Sequence, residues 1–417
     1  MTKPETHVVV GASLAGAKAA ETLRAEGFTG RVVLIGEEAE RPYERPPLSK
    51  GYLRGDIERE TVFVHDRAFY AEHDIELRTG TTVTALDPDG HTVTLSCDRH
   101  DEQLSYDRLL LTTGAKPRQL DVPGEDLPGV YSLRSLGDAD QLAAAIDHAD
   151  TVAVVGAGWI GSEVAASARQ LGHDVAMIAP SVVPLEWILG VEVGWLYRTL
   201  HADHGVDLHL ETGVTALRGR ESVEAIELSD GTGIPADVVL IAVGAAPRVE
   251  LAEAAGLTVA GGVVVDAQLR TSDPRIFAAG DVASAMHPIL SRNIRVEHWA
   301  NALHQGPAAA RNMLGIPTTY ERIPYFFSDQ YELGMEYSGY AKSWDRVVFR
   351  GDPAQGKFIA FWLAGGVVVA GMNANVWGVT EPIQQVIRSR VAIDPELLAD
   401  PDTPLESLTD LARKTVS

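Results

Sequence analysis

Two short glycine-containing runs carry the clearest chemistry in this chain. The first is VVVGASLAGAKAA at residues 8–20, with Gly11, Ser13 and Gly16 in the three places of a G-x-G-x-x-G pattern. The second is VAVVGAGWIGSEVAA at residues 152–166, with Gly156, Gly158 and Gly161. Each follows an apolar run of strand length and opens a stretch with helical spacing, the context in which such a loop binds the pyrophosphate of a dinucleotide. The first glycine makes the tight turn, the second lets the pyrophosphate reach the backbone, and the third lets helix pack on strand. The helix N-terminus adds unpaired N–H groups and a partial positive charge. Ser13 is small enough for the second place, and its hydroxyl is a further donor to phosphate.

A carboxylate about twenty residues past such a loop is expected to hold the adenosine ribose. Glu37, ending VVLIGE, meets that requirement in the first unit. In the second, the same spacing falls near Ala179 in MIAPSVV, where there is no acid. Nor does any Lys or Arg lie between Arg169 and Arg198 to meet the 2′-phosphate of NADPH. A missing carboxylate loses a pair of hydrogen bonds, whereas a missing cation leaves a dianion uncompensated, so NADH is expected ahead of NADPH. Two dinucleotides in one chain suit electron transfer, because a nicotinamide delivers a hydride and FAD can pass electrons on singly. The Ser13 loop is therefore expected to hold FAD, non-covalently, and the Gly158 loop the nicotinamide nucleotide.

The elements that position these loops follow from the apolar pattern. Residues 8–10, a helix from Leu14 and RVVLIGE form a β-α-β unit, and TVAVVGAG, a helix to Leu171 and DVAMIAP repeat it 145 residues later. YDRLLLTTGAKPR and ADVVLIAVGAAPR are near-copies, one after each unit. From about Pro317 the sequence turns aromatic and β-like. Residues 358–380 carry no charge over a length that could cross a bilayer, but Gly365-Gly366 interrupts two β-prone runs, and a buried hairpin is expected. The tail, PELLADPDTPLESLTDLARK, has the look of loose helical turns.

With 417 residues, 45% hydrophobic and 22% charged, the chain is long enough for two or three globular domains. A formal charge of −23, from 35 basic and 58 acidic side chains, argues against nucleic acid and anionic membranes as partners. The one cysteine, Cys97, excludes a redox pair or zinc cluster within the chain, so no metal site is expected. It fits a cytoplasmic location, as does an N-terminus without a signal-peptide pattern.

The motifs GASLAG, RPYERPPLSK, LLLTTGAKPR, GAGWIGSEVAA, IFAAGDVA, RVEHWANALHQG and PYFFSDQY together resemble the FAD-dependent, NADH-linked ferredoxin reductases that serve bacterial oxygenases. This group is related to putidaredoxin reductase, within the glutathione-reductase-like two-dinucleotide flavoproteins, and the resemblance covers nearly the whole chain. It implies an α/β fold with two Rossmann-like dinucleotide-binding domains and a C-terminal α+β domain. The FAD-binding domain would be discontinuous, residues 1–111 and 243–316. The NAD(P)H-binding domain would be 112–242, and a C-terminal domain, 317–417, would pack over the flavin. By the same resemblance, Gly11, Ser13 and Gly16 would cradle the FAD pyrophosphate and Glu37 its ribose. Arg45 and Lys50 would line the flavin, Thr113 and Gly114 close over it, Asp281 bond the ribityl chain and Trp299 stand at the ring edge with His298 behind. Val83 completes the cofactor-binding set. Gly156, Gly158 and Gly161 would bind the nicotinamide nucleotide, and Glu163 would approach its nicotinamide and pair with Lys50 as the catalytic pair.

Three positions depart from the resemblance: Ala179 for the acid, Trp187 where arginine is common, and Phe327 where tryptophan is common. No cysteine lies near RPPLSKGYL, so disulfide and thiol-peroxide chemistry are excluded and the electrons are expected to leave to an iron–sulfur ferredoxin serving a monooxygenase or dioxygenase. A rubredoxin or quinone reductase, and an apoptosis-inducing-factor-like NADH-sensing flavoprotein with a binding role, are the alternatives. Arg292 and Arg295, just before Trp299, either dock an acidic ferredoxin or neutralise nearby carboxylates.

Overall fold

A computed structural model describes residues 4–97 and 100–410. The chain divides into two compact units. One comprises residues up to Glu44, Arg59–Lys116 and Ala245–Pro324; the other comprises Arg45–Glu58, Pro117–Gly244 and residues from Tyr325 onward.

The first unit is built on a five-stranded parallel sheet in the order Ile276–Ala278, Arg108–Leu111, Thr6–Val10, Arg31–Ile35, Ile75–Arg78. Its central strand reads VVV without alternation because both faces are covered, and Val8, Val9, Leu34, Leu109 and Leu110 are fully buried. The helix Leu14–Ala25 presents its small face to the helix Trp299–Met313. A Cβ at Gly306 would lie 2.2 Å from the carbonyl oxygen of Ala15, so glycine is what permits this approach.

The second unit repeats the plan. Its parallel sheet runs Val206–Leu210, Asp174–Ala179, Thr151–Val155, Val238–Ile241, Val130–Tyr131. The edge strand, last in chain order in the first sheet, comes first in the second. The same unit carries a five-stranded antiparallel sheet, Tyr325–Gln330, Leu333–Gly339, Val367–Ala374, Lys357–Ala364, Arg346–Asp352. The uncharged stretch at 358–380 supplies the expected hairpin, with Gly365 and Gly366 both at positive φ (58° and 80°) and Trp362 fully buried. Among the described residues no helix is long and apolar enough to cross a membrane. The tail forms short turns at Pro395–Ala399 and Leu405–Ser407, and its last residues, from 411, lie outside the described part.

Candidate dinucleotide and ion-pair site

Within the first unit, the N–H of Gly11 donates to the carbonyl of Ile35 at 2.7 Å. Gly11 has φ 119°, and a Cβ there would lie 2.1 Å from the Thr112 carbonyl oxygen. A Cβ at Gly16 would lie 2.1 Å from the carbonyl oxygen of Gly11. Both glycines are thus required by the packing of the chain itself. Ser13 is different. It is the extended N-cap of the helix Leu14–Ala25, and its side chain makes no capping hydrogen bond.

The second unit has the same geometry. Gly156 N–H donates to the Ile178 carbonyl at 2.8 Å. A Cβ at Gly156 would lie 2.3 Å from Ala242 O, and one at Gly161 would lie 2.0 Å from Gly156 O. A Cβ at Gly158, the extended N-cap of the helix Trp159–Leu171, would meet nothing within 4 Å. Protein packing therefore explains the first and third glycines but not the second. The open face above Gly158, at a helix N-terminus with unspent N–H groups, fits a dinucleotide pyrophosphate.

Around the first loop, Glu37 forms an ion pair with Arg248 at 2.6 Å. Arg248 also accepts from Thr113 Oγ1 through its carbonyl (2.8 Å) and donates its N–H to the Gly114 carbonyl (2.9 Å). One residue of the second near-copy segment thus ties Glu37 to Thr113 and Gly114. Sequence reading missed Arg248, although the segment ADVVLIAVGAAPR ends on it. The pair is half-exposed, so it is worth no more than about 1 kcal/mol. Asp281 lies in the short turn Gly280–Val282, whose Gly280 N–H donates to Gln305 Oε1 at 2.8 Å. His298 caps the helix that Trp299 begins; burial pushes its imidazole down to about 4, against the pull of the Asp281 carboxylate. Val83 packs against the apolar core from the strand Thr82–Asp87. Arg295 pairs with Glu297 and donates to the Asp281 carbonyl at 3.3 Å. The pair with Glu297 is what neutralisation of a neighbouring acid would give, and it leaves the docking of a ferredoxin at Arg295 open to test.

The second unit contains a buried polar cluster. Lys50 Nζ is 2.7 Å from Glu163 Oε2, with only 12% and 7% of the side chains exposed. Ser49 Oγ donates to the same carboxylate oxygen at 2.5 Å, and Ser328 Oγ donates to Oε1 at 2.7 Å. Ser167 Oγ donates to the Ser49 carbonyl at 2.8 Å, fixing that turn on the helix that carries Glu163. Lys50 and Glu163 are 113 residues apart in sequence, and the fold brings them together. Glu163 stands in the second turn of its helix, on the buried face, so the helix dipole does not account for it. A buried ion pair is tolerated only when its remaining lone pairs are satisfied, which is what the two serines do. Neither serine stood out in the sequence, although PPLSK and FFSDQ contain them. Asp329 borders the cluster, and burial raises its carboxyl above the usual range against the pull of Lys50. Arg45 begins the Pro46–Ser49 turn and donates through Nε to the Arg134 carbonyl at 3.0 Å. Phe327 lies with its ring centroid 5.9 Å from Lys50 Nζ.

Residues 5–306 match the family described as pyridine nucleotide-disulphide oxidoreductase, and residues 325–409 match the reductase C-terminal domain. The ferredoxin–NAD(+) reductase component of the anthranilate 1,2-dioxygenase system of Burkholderia cepacia is 39% identical over 97% of this chain and 99% of its own. Putidaredoxin reductase of Pseudomonas putida is 36% identical over the full length of both chains. Among solved structures, putidaredoxin reductase in its covalent complex with putidaredoxin matches with a TM-score of 0.94, 36% identity, and 98% and 99% of the two chains covered. With two glycine loops on one plan and similarity along its whole length, the chain belongs to the pyridine nucleotide-disulphide oxidoreductases, and within them to the ferredoxin reductases of oxygenase systems.

Proposed function

We propose that this protein is a cytoplasmic FAD-dependent reductase that takes a hydride from NADH, and less readily from NADPH, and passes electrons one at a time to an iron–sulfur ferredoxin that serves an oxygenase. The observation that carries the reading is the pair of glycine loops whose first and third glycines share one packing geometry and whose second position is in each the extended N-cap of a helix. When bound, FAD supplies the conversion from a two-electron donor to one-electron acceptors. Residues 1–111 and 243–316 form its domain, 112–242 the nicotinamide-nucleotide domain and 317–417 the C-terminal domain. Gly11, Ser13 and Gly16 bind the FAD pyrophosphate, with Glu37, Arg45, Val83, Thr113, Gly114, Asp281 and Trp299 as its other contacts. Gly156, Gly158 and Gly161 bind that of NADH. Lys50 and Glu163 are the catalytic pair: the carboxylate, clamped by two serine hydroxyls, holds the ammonium in place as a fixed positive charge, and such preorganised charge favours developing negative charge in a site shielded from water.

The test is direct. Heat or acid precipitation should release one FAD per chain into the supernatant, and anaerobic mixing with NADH should bleach the flavin absorbance. Turnover should then reduce a two-iron ferredoxin from a neighbouring oxygenase system. Flavin that stays with the pellet, or a bound FMN, would overturn the cofactor assignment. A flavin reduced by NADH that transfers poorly to every ferredoxin and holds its electrons for long periods would favour the NADH-sensing alternative. Preferential reduction of a rubredoxin or a quinone would favour those acceptors.

A further inference from the structure

The registers of the two parallel sheets show which residue of the second unit takes the place of Glu37. In the first, Val10 pairs with Ile35 and Gly11 donates to Ile35; in the second, Val155 pairs with Ile178 and Gly156 donates to Ile178. Glu37 is two residues past Ile35, so its counterpart is Pro180, one place beyond where sequence spacing pointed. Ala179 is the counterpart of Gly36 and, like it, is buried. Pro180 is exposed and offers neither a carboxylate nor an N–H.

Beyond Pro180 the chain forms a loop fastened to the glycine turn. Leu185 N–H donates to the carbonyl of Ala157, the residue between Gly156 and Gly158, at 2.9 Å. Two residues on, in the first turn of the helix Glu186–Asp203, Trp187 is 85% exposed, the most exposed large apolar side chain among the described residues. The helix is anchored elsewhere: Leu189 and Val193 are fully buried, and Trp362 Nε1 donates to the Leu189 carbonyl at 3.0 Å. Trp187 contributes nothing to that core. From farther down the helix, Arg198 reaches back, its Nη1 donating to the Val182 carbonyl at 3.2 Å and its guanidinium lying over the Trp195 ring at 4.6 Å. A cation therefore stands at this loop although the sequence between 169 and 198 has none.

We propose that Trp187 is the adenine platform of the nicotinamide-coenzyme site, replacing the missing ribose carboxylate with a stacking face, and that Arg198 is the cation that lets the site accept a 2′-phosphate. This rests on the reading above that the Gly158 loop binds the nicotinamide nucleotide. Stacking of a base on an aromatic ring is tolerant of what the ribose carries, so recognition shifts from hydroxyls to the base. The charge of Arg198 then reduces discrimination against NADPH.

The experiment uses the FAD-loaded protein and three ligands: ADP-ribose, its 2′-phosphorylated form, and reduced nicotinamide mononucleotide, which carries no adenine. Calorimetric titration should show ADP-ribose bound about ten- to a hundredfold more weakly by Trp187→Ala, with most of the loss restored in Trp187→Phe. Titration should also quench the wild-type tryptophan emission, and Trp187→Phe should lose most of that quenching. The rise in KM should be confined to donors that carry adenine. Equal ADP-ribose affinity in wild type and Trp187→Ala, or an equal loss with nicotinamide mononucleotide, would overturn the platform. Arg198→Gln should weaken the 2′-phosphorylated ligand several-fold more than ADP-ribose itself; an unchanged ratio would overturn the role of Arg198. A wild-type flavin that neither NADH nor nicotinamide mononucleotide reduces would instead overturn the underlying functional reading.

Discussion

The two glycine loops share a scaffold and differ in what they present. In both, the first glycine hydrogen-bonds the second strand and the first and third lie against backbone oxygens, closer than a Cβ allows. In both, the second position is the extended N-cap of a helix; a Cβ at Gly158 would meet open space, and Ser13 spends no side-chain hydrogen bond on the cap. It is serine in one unit and glycine in the other. Beyond the second strand the units diverge again, with Glu37 held by Arg248 in one and Pro180, Trp187 and Arg198 in the other. The first and third glycines answer to the protein; on the function proposed above, the second position and the strand end answer to the ligand, which is where an imperfect motif would be tolerated.

The largest effects should come from adding a methyl group where the two loops agree. Gly16→Ala and Gly161→Ala would each drive a Cβ into a backbone oxygen at about 2 Å, costing on the order of 3 kcal/mol and the nucleotide of that loop. Thermal unfolding combined with FAD content checks both. Gly16→Ala should purify without flavin, whereas Gly161→Ala should keep flavin that NADH reduces poorly.

Next in size is the buried pair that only the second unit holds. Removing one partner of such a pair leaves the other charge buried and uncompensated, and here the loss falls on one step of turnover rather than on the whole nucleotide site. Lys50→Ala should therefore slow flavin reduction in single-turnover mixing far more than it slows electron release, and Glu163→Gln should do so less, since its amide oxygen still accepts from one of the two serines while its NH2 donates to the other hydroxyl. Equal reduction rates in Lys50→Ala and wild type would remove the pair from the chemistry.

Each unit also buries histidine. Burial pushes His7 and His298 in the first and His201 in the second down to about 4. A base with a lowered folded pKa takes up its proton more readily when unfolded. Stability should be flat above about pH 6.5 and should fall as pH drops from there toward 4, by up to about 3 kcal/mol for each histidine. Unfolding followed at several pH values should show the loss, and His201→Gln should remove the share of the second unit only.

Pro180→Glu should install the carboxylate that the first unit has, raising the NADH-over-NADPH ratio of kcat/KM by about tenfold, an effect near 1.4 kcal/mol. Ala179→Glu, which sequence spacing suggests, should instead destabilise the fold by placing a carboxylate in the covered sheet. The smallest effects are expected from exchanging the second positions: Ser13→Gly and Gly158→Ser should fold normally and change nucleotide affinity by no more than a few-fold. A large loss from either would mean that packing also governs that position.

The strand–turn–helix units, the packing roles of the first and third loop glycines and the hairpin at Gly365-Gly366 were legible from residue order because they are local: a few consecutive dihedrals and a short apolar run determine them. The pairing of Lys50 with Glu163 was readable only through likeness to a known family. The serines that make it tolerable were not, since nothing in PPLSK or FFSDQ shows that both reach one carboxylate across 114 and 165 residues. Arg248 reaching Glu37 across 211 residues, and Arg198 folding back on Val182, depend on how strands stack and helices turn. So does the one-residue difference between Ala179 and Pro180, because equivalence between two sheets is defined by hydrogen-bond register rather than by counting along the chain. Local backbone preference wrote the loops into the sequence; long-range packing decided which side chains stand around them.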